Sequence, residues 1–138
     1  MEKNIHRFLE FPANCRIVIL NHISIFNFFH LPEYLDWFRS LEKKYPERSL
    51  QLKLMPVENP AYFSLGSFPE ELKVKALIWL TENHSLHPDL PELRNQFESG
   101  SISEAELRYQ RKIFLNTYKR YGNFNMAEIF PLIYPTVL

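Results

Sequence analysis

Histidines, a cysteine and neighbouring carboxylates are the residues of this 138-residue chain whose types could perform chemistry. His84 and His87 lie close to Asp89 and Glu92, and nitrogen and carboxylate ligands at such short spacing are typical of metal sites. Pro88 breaks the helix that would have to present these side chains together, and no cysteine completes the set. The favoured interpretation is a solvated loop, and we assign no metal ligand.

Cys15 could act as a nucleophile with His22 or His30 as its base. A reactive thiol needs an electropositive surrounding, which no neighbouring motif provides, and cysteine is commonly buried, so core packing is the favoured interpretation. Glu70 and Glu71 are adjacent carboxylates, but adjacent residues of a helix point apart, and acidic residues in a first turn stabilise the helix end. The sequence therefore predicts no catalytic residue.

A basic group between residues 108 and 120 is the best candidate for contact with nucleic acid, because cations bind phosphate and aromatic rings stack on bases. Sixteen basic residues balance sixteen acidic ones, so the chain lacks the net positive charge typical of nucleic-acid binding. A solvated helix face is the favoured interpretation, and no nucleic-acid partner is predicted. The group comprises Arg108, Arg111, Lys112, Lys119 and Arg120, with Tyr109, Tyr118 and Tyr121.

The composition is that of a globular chain. Hydrophobic residues make up 46% of the sequence and aromatic residues 15%, which is enough for one core. The lone Cys15 cannot form an internal disulfide, no apolar run reaches the ~20 residues of a membrane span, and the opening MEKNIHR is unlike a signal peptide. We therefore expect a cytoplasmic protein with no membrane partner.

Strand and helix patterns alternate in the first half of the chain, after a lead-in at residues 1–14. The run from Arg16 to Phe26 is rich in β-branched residues and predicts a strand, and its continuous apolar start suits a sheet covered on both faces. Pro32 suits the first turn of a helix, which should end at Pro46. Residues 50–54 alternate apolar and polar side chains and predict a half-buried strand near a sheet edge.

Helical patterns dominate the second half. Ser67 and Glu70 have the spacing of a capping box and predict the start of a helix that buries Trp79. A shorter helix is predicted between Pro88 and Gly100, and further helices between residues 103 and 133.

These elements predict one mixed α/β domain over residues 1–138. Residues 15–66 should carry β/α units with a small sheet of two to three strands, and residues 67–138 should form a mainly helical carboxy-terminal cap. No repeat or linker divides the chain.

Three segments carry a resemblance to a known family. They are ISIFNFFHLPEYLDWF from Ile23, PAYFSLGSFPEELK from Pro60 and FLNTYKRYGNFNMAEIFPLI from Phe114. With these segments, the chain from about Ile17 onward resembles the carboxy-terminal region of twitch-domain radical SAM proteins. The resemblance implies the end of a partial β/α barrel, with S-adenosylmethionine and an iron–sulfur cluster bound by the barrel that precedes it.

The cysteine content departs from that family. Its enzymes hold the cluster with a CxxxCxxC segment, whereas this chain has Cys15 alone, so we expect no cofactor in this chain. The resemblance then implies a non-catalytic portion or companion of a radical SAM protein, which contributes scaffold or substrate-site surface. Its partner would be a radical SAM barrel in cis or in trans, or a second copy of the chain.

An aromatic interaction surface is expected where a barrel tail stands alone, because strand edges and their flanking rings then lack a partner. Two other functions remain open on the residues alone. One is a stand-alone protein–protein interaction module that uses the same aromatic surface, and the other is an unrelated small enzyme that uses Cys15 or His30. The predicted surface consists of Phe26, Phe28, Phe29 and Tyr62.

Overall fold

The computed structural model confirms the mixed α/β class. It describes residues 2–10 and 15–99, together with isolated positions between 103 and 128. Short 3-10 turns at Phe28–His30, Ala61–Phe63, Leu65–Ser67 and His84–Leu86 connect the main elements. In chain order these elements are α1 (Glu2–Leu9), β1 (Arg16–Ile23), α2 (Leu31–Lys44), β2 (Ser49–Pro56), α3 (Glu70–Asn83) and α4 (Leu90–Ser99).

β1 and β2 form a parallel sheet, with α2 as the connection between them. The register runs from Arg16 opposite Ser49 to Ile23 opposite Pro56. Two strands occur among the described residues, which is the lower end of the predicted range. Burial alternates along β2 as predicted, so the strand covers the core with one face only.

The other face of the sheet is open to solvent. Val18 and Leu20 on β1 are 44% and 56% exposed, and Met55 on β2 is 41% exposed. The prediction of a sheet covered on both faces is therefore wrong for the described residues. The continuous apolar run of β1 misled it, because apolar side chains alternate between the faces of a strand whether or not both faces are packed.

β1 ends three residues earlier than predicted because Asn27 folds the chain back on itself. The Asn27 side chain donates from Nδ2 to the carbonyl oxygen of His22 at 2.8 Å, and its Oδ1 accepts the amide of Ser24 at 2.8 Å. These bonds replace the strand pairing that residues 24–26 would otherwise need, and they turn the chain toward α2.

Proline positions set the helix ends much as predicted. Pro32 lies in the first turn of α2, which ends at Lys44, two residues before Pro46. α2 turns one apolar face to the core. That face carries Leu31, Leu35, Phe38 and Leu41.

The predicted capping box at the start of α3 is wrong. Ser67 is buried, and its hydroxyl donates to the carbonyl oxygens of Tyr62 and Ser64 at 3.0 and 2.8 Å. Those nearer acceptors hold the hydroxyl away from the helix, and Pro69 occupies the cap position without a side-chain hydrogen bond. Trp79, which was predicted to be buried, is half-buried and packs against the core.

α4 is the helix predicted between Pro88 and Gly100, and it buries Leu90, Leu93 and Phe97. α1 was not predicted; it occupies most of the expected lead-in and buries Leu9. The cap at Gly100, the resemblance segment that starts at Phe114 and the helices predicted from 103 onward lie largely outside the described residues.

Candidate functional site

The predicted aromatic surface is mostly part of the core. Phe28 is 1% exposed, so the prediction that it lies on an interaction surface is wrong. Its 3-10 turn inserts the ring into the core, where it meets four other rings edge-on at centroid distances of 5.5–6.0 Å. Those rings belong to Phe29, Phe68, Trp79 and Phe97.

The other three residues of the predicted surface are half-buried. Phe26 packs edge-on against Phe63 at 5.2 Å, and Phe29 packs against Phe68 at 5.6 Å. Tyr62 also contacts Phe63, and burial raises the pKa of its hydroxyl. These rings hold the turns between β2 and α3 against the start of α2, and an interaction role for them remains a prediction.

The outer edge of β2 is closed by the turn that precedes α4. Asp89 accepts the backbone amide of Leu54 on its Oδ2 at 2.9 Å, as the carbonyl of a neighbouring strand would. Lys53 lies 3.6 Å from the other carboxylate oxygen of Asp89. The backbone of Leu52, two residues earlier on the same edge, interacts with the ring of His87 and acts to raise its pKa. At Pro56, the next position that faces outward, there is no amide hydrogen to satisfy.

His87 is held in one tautomer by this turn. The backbone amide of Asp89 donates to its Nδ1 at 3.2 Å, so that nitrogen is an acceptor in the neutral ring. Burial lowers the pKa of His87, and the Asp89 carboxylate, 3.9 Å from Nδ1, opposes that shift without cancelling it. The neutral ring therefore fits the hydrogen bonds of the turn, whereas a protonated ring would lose the amide of Asp89 as a donor.

The outer edge of β1 is open. Ile23 accepts the amide of Val57 at 2.8 Å, which fixes the carbonyl of Ile23 on the β2 side. Successive residues of a strand present their backbone groups to opposite edges, so Val18, Leu20 and His22 face away from β2. Asn27 occupies the carbonyl of His22. Val18 and Leu20 make no outward backbone hydrogen bond to any residue that the structure describes.

The proposed pair of Cys15 with His22 does not form. Cys15 is exposed at the start of β1, which contradicts the expectation of core packing. His22 lies seven residues further along the same extended strand, about 23 Å away at the usual rise per residue, too far to act as a base for that thiol. His30 is exposed in the turn before α2.

An open hollow of about 850 Å³ lies at the carboxyl ends of the two strands, the place where parallel sheets commonly bind ligands. Among the described residues its charged lining includes Lys53, Asp89 and Glu92. Lys53 and Asp89 are paired with each other, and Asp89 also holds the strand edge. No group of three or more potential metal ligands forms within the described part of the chain, so His84 and His87 do not build a metal site with their acidic neighbours there.

Sequence reasoning noticed Asp89 only as a possible metal ligand. Its contact with Leu54 joins residues 35 positions apart, and no local pattern predicts such a pair. A Pro-Asp dipeptide just before a helix is the one signal that could have marked Asp89 as a residue with a structural role.

None of the described helices is long and apolar enough to cross a bilayer.

The candidate site is the edge of the sheet, which is open at Val18 and Leu20 on β1 and blocked by Asp89 at Leu54 on β2. A comparison of the chain with family models, with curated proteins and with solved structures finds no match in any of the three.

Proposed function

We propose that this chain is a non-catalytic scaffold unit that extends the β-sheet of a larger α/β protein. The resemblance described above makes a radical SAM barrel, in cis or in trans, the partner to test first. In that role the chain would add surface beside a substrate site while the barrel holds S-adenosylmethionine and the iron–sulfur cluster.

One observation carries the proposal, namely the open face and edge of a parallel sheet. Parallel sheets are nearly always covered on both faces, and two parallel strands are fewer than most sheets contain. Here Val18 and Leu20 expose apolar side chains on one face and unpaired backbone groups on one edge. An additional strand would satisfy the backbone groups, and the layer that comes with it would cover the side chains.

Co-expression tests the proposal. The partner to be tested is any CxxxCxxC-bearing polypeptide encoded in the same reading frame or beside it, and the measurement is the affinity of the purified pair. Leu20→Lys should weaken binding about tenfold or more, since a charge would be buried at the joined face. Ile78→Lys is the matched control, because Ile78 is 52% exposed on α3, away from the sheet. Equal losses for the two variants, or no binding by the unmodified chain, would reject this role for β1.

A stand-alone interaction module is the second candidate, and the outer side of α3 favours it. Val74 and Ile78 lie one turn apart and are both about half exposed, so this helix is apolar on more than its core side. In the co-expression experiment this function predicts the reverse result, with Ile78→Lys weakening binding and Leu20→Lys having no effect.

A further inference from the structure

The two edges of the sheet differ in what they can still bind. On β2, the outward positions Leu52 and Leu54 are occupied by His87 and Asp89, and Pro56 has no amide hydrogen. A strand that approached β2 would have to displace the half-buried carboxylate of Asp89 and the half-buried ring of His87. The free backbone groups of Val18 and Leu20 therefore make β1 the more open of the two edges among the described residues.

The outward-facing residues of β1 form a self-complementary series. They are Arg16, Val18, Leu20 and His22, at alternate positions along the strand. Their side chains also share the solvent-exposed face of the sheet. Two copies that join at this edge in one continuous sheet are related by a two-fold axis perpendicular to it, so their strands run antiparallel.

One register pairs all four positions. With the axis between the two Ile19 residues, Val18 lies opposite Leu20 of the second copy, and Arg16 lies opposite His22. A shift of two residues in either direction leaves one of the four without a counterpart inside β1. The favoured register also places the apolar Val18–Leu20 pairs at the centre, where each pair exchanges two backbone bonds. Arg16 and His22 lie at the ends, where Asn27 already bonds the carbonyl of His22, so the central pairs supply the backbone bonds of this register.

We infer that the free chain forms a symmetric dimer through β1, with Val18 of each copy opposite Leu20 of the other, in a four-stranded sheet of order β2-β1-β1-β2. Since this dimer uses the same open edge on which the proposed function rests, a barrel partner and a second copy would compete for it. The dimer does not require the barrel, so each can be tested without the other.

Cross-linking between two single-cysteine chains tests the register. In a Cys15→Ser background, a Val18→Cys chain is mixed with a Leu20→Cys chain and oxidised, and the products are identified by intact mass. Opposed residues of a hydrogen-bonded pair have Cα atoms about 5.5 Å apart, which suits a disulfide. The mixture should yield the mixed covalent dimer. Each variant alone is the matched control and should cross-link poorly, because its own cysteines would be diagonal neighbours about 7–8 Å apart.

Sedimentation at micromolar concentration tests the dimer itself. Val18→Pro removes an outward amide without touching the ladder to β2, and Val18→Ala keeps that amide while it shortens the side chain. The unmodified chain should sediment as a dimer, and Val18→Pro should weaken association about tenfold or more relative to Val18→Ala. A monomeric unmodified chain would overturn the inference, as would single variants that cross-link as well as the mixture does. Dimerisation without barrel binding would keep this inference and reject the proposed function, and barrel binding by a monomeric chain would do the reverse.

Discussion

Replacement of Phe28 by alanine should be among the most damaging single changes in the described core. The ring is 1% exposed and meets four other rings edge-on, so its removal leaves a cavity lined by groups that cannot all move in to fill it. Truncation of a buried phenylalanine costs about 3–5 kcal/mol of unfolding free energy. Edge-to-face pairs contribute about 0.5–1.5 kcal/mol each beyond their area, so we expect the upper half of that range.

A graded series makes the expectation sharper. Phe28→Leu keeps most of the volume but loses the ring contacts, and should cost about 1–2 kcal/mol. A domain of this size has a total stability of about 5–15 kcal/mol, so Phe28→Ala should still fold at low temperature but unfold at much lower denaturant. Phe28→Asp should not fold, since it would bury an unpaired charge.

Urea unfolding followed by circular dichroism measures these differences, with the slope of the transition as a check that both states are unchanged. Phe8→Ala is the matched control, because Phe8 undergoes the same chemical change at a site that is 56% exposed. Its effect should stay within about 0.5 kcal/mol. If Phe28→Ala and Phe8→Ala cost the same, or if Phe28→Asp folds and merely alters association, then Phe28 is a surface residue and the aromatic core described above is wrong.

Three further expectations concern the turn before α4 and the single thiol. Asp89→Ala should destabilise the chain by about 1.5–3 kcal/mol and speed hydrogen exchange at the Leu54 amide, whereas Asp89→Asn, which keeps an acceptor, should cost less; equal exchange in both variants would contradict the contact. Burial lowers the pKa of His87 from 6.5, so below that pH the unfolded chain binds more protons than the folded chain, and stability should decrease as the pH is lowered. The urea midpoints of His87→Gln should depend less on pH than those of the unmodified chain. Finally, anaerobic reconstitution with iron and sulfide should give no four-iron absorption spectrum, since Cys15 is the single cysteine; one cluster per chain would contradict this.

Local patterns predicted the elements whose burial follows from spacing alone. The alternation at residues 50–54 indicated which face of β2 is buried, and Pro32 marked the start of α2. The prediction for β1 went wrong because an apolar run does not reveal how many layers will cover it, and Val18 and Leu20 are left exposed. The spacing of apolar residues is a local property of the sequence, whereas the number of layers that pack against a sheet depends on the whole fold.

The candidate edge could not be predicted because its decisive contacts are not local. Asp89 meets Leu54 across 35 positions of sequence, and the sequence indicated only a solvated loop or a metal ligand at Asp89. Ser67 had the spacing of a capping residue, but nearer carbonyl oxygens competed for its hydroxyl. Phe28 was placed on the surface because a barrel tail that stands alone would leave its flanking rings without a partner, whereas rings from α3 and α4 surround it in space.

The Asp89 turn also limits how far an assembly of these chains can grow. Fibrils and open filaments need two binding edges on each copy, so that every added copy presents a new one. A sheet whose second edge is blocked by its own side chains can accept an added strand at one edge, and any strand that pairs with β1 takes that place. In the part of the chain that the structure describes, the sheet can therefore be extended at β1 but not past the Asp89 contact, and loss of that carboxylate would free the Leu54 amide for a second strand and bring the risk of unlimited growth.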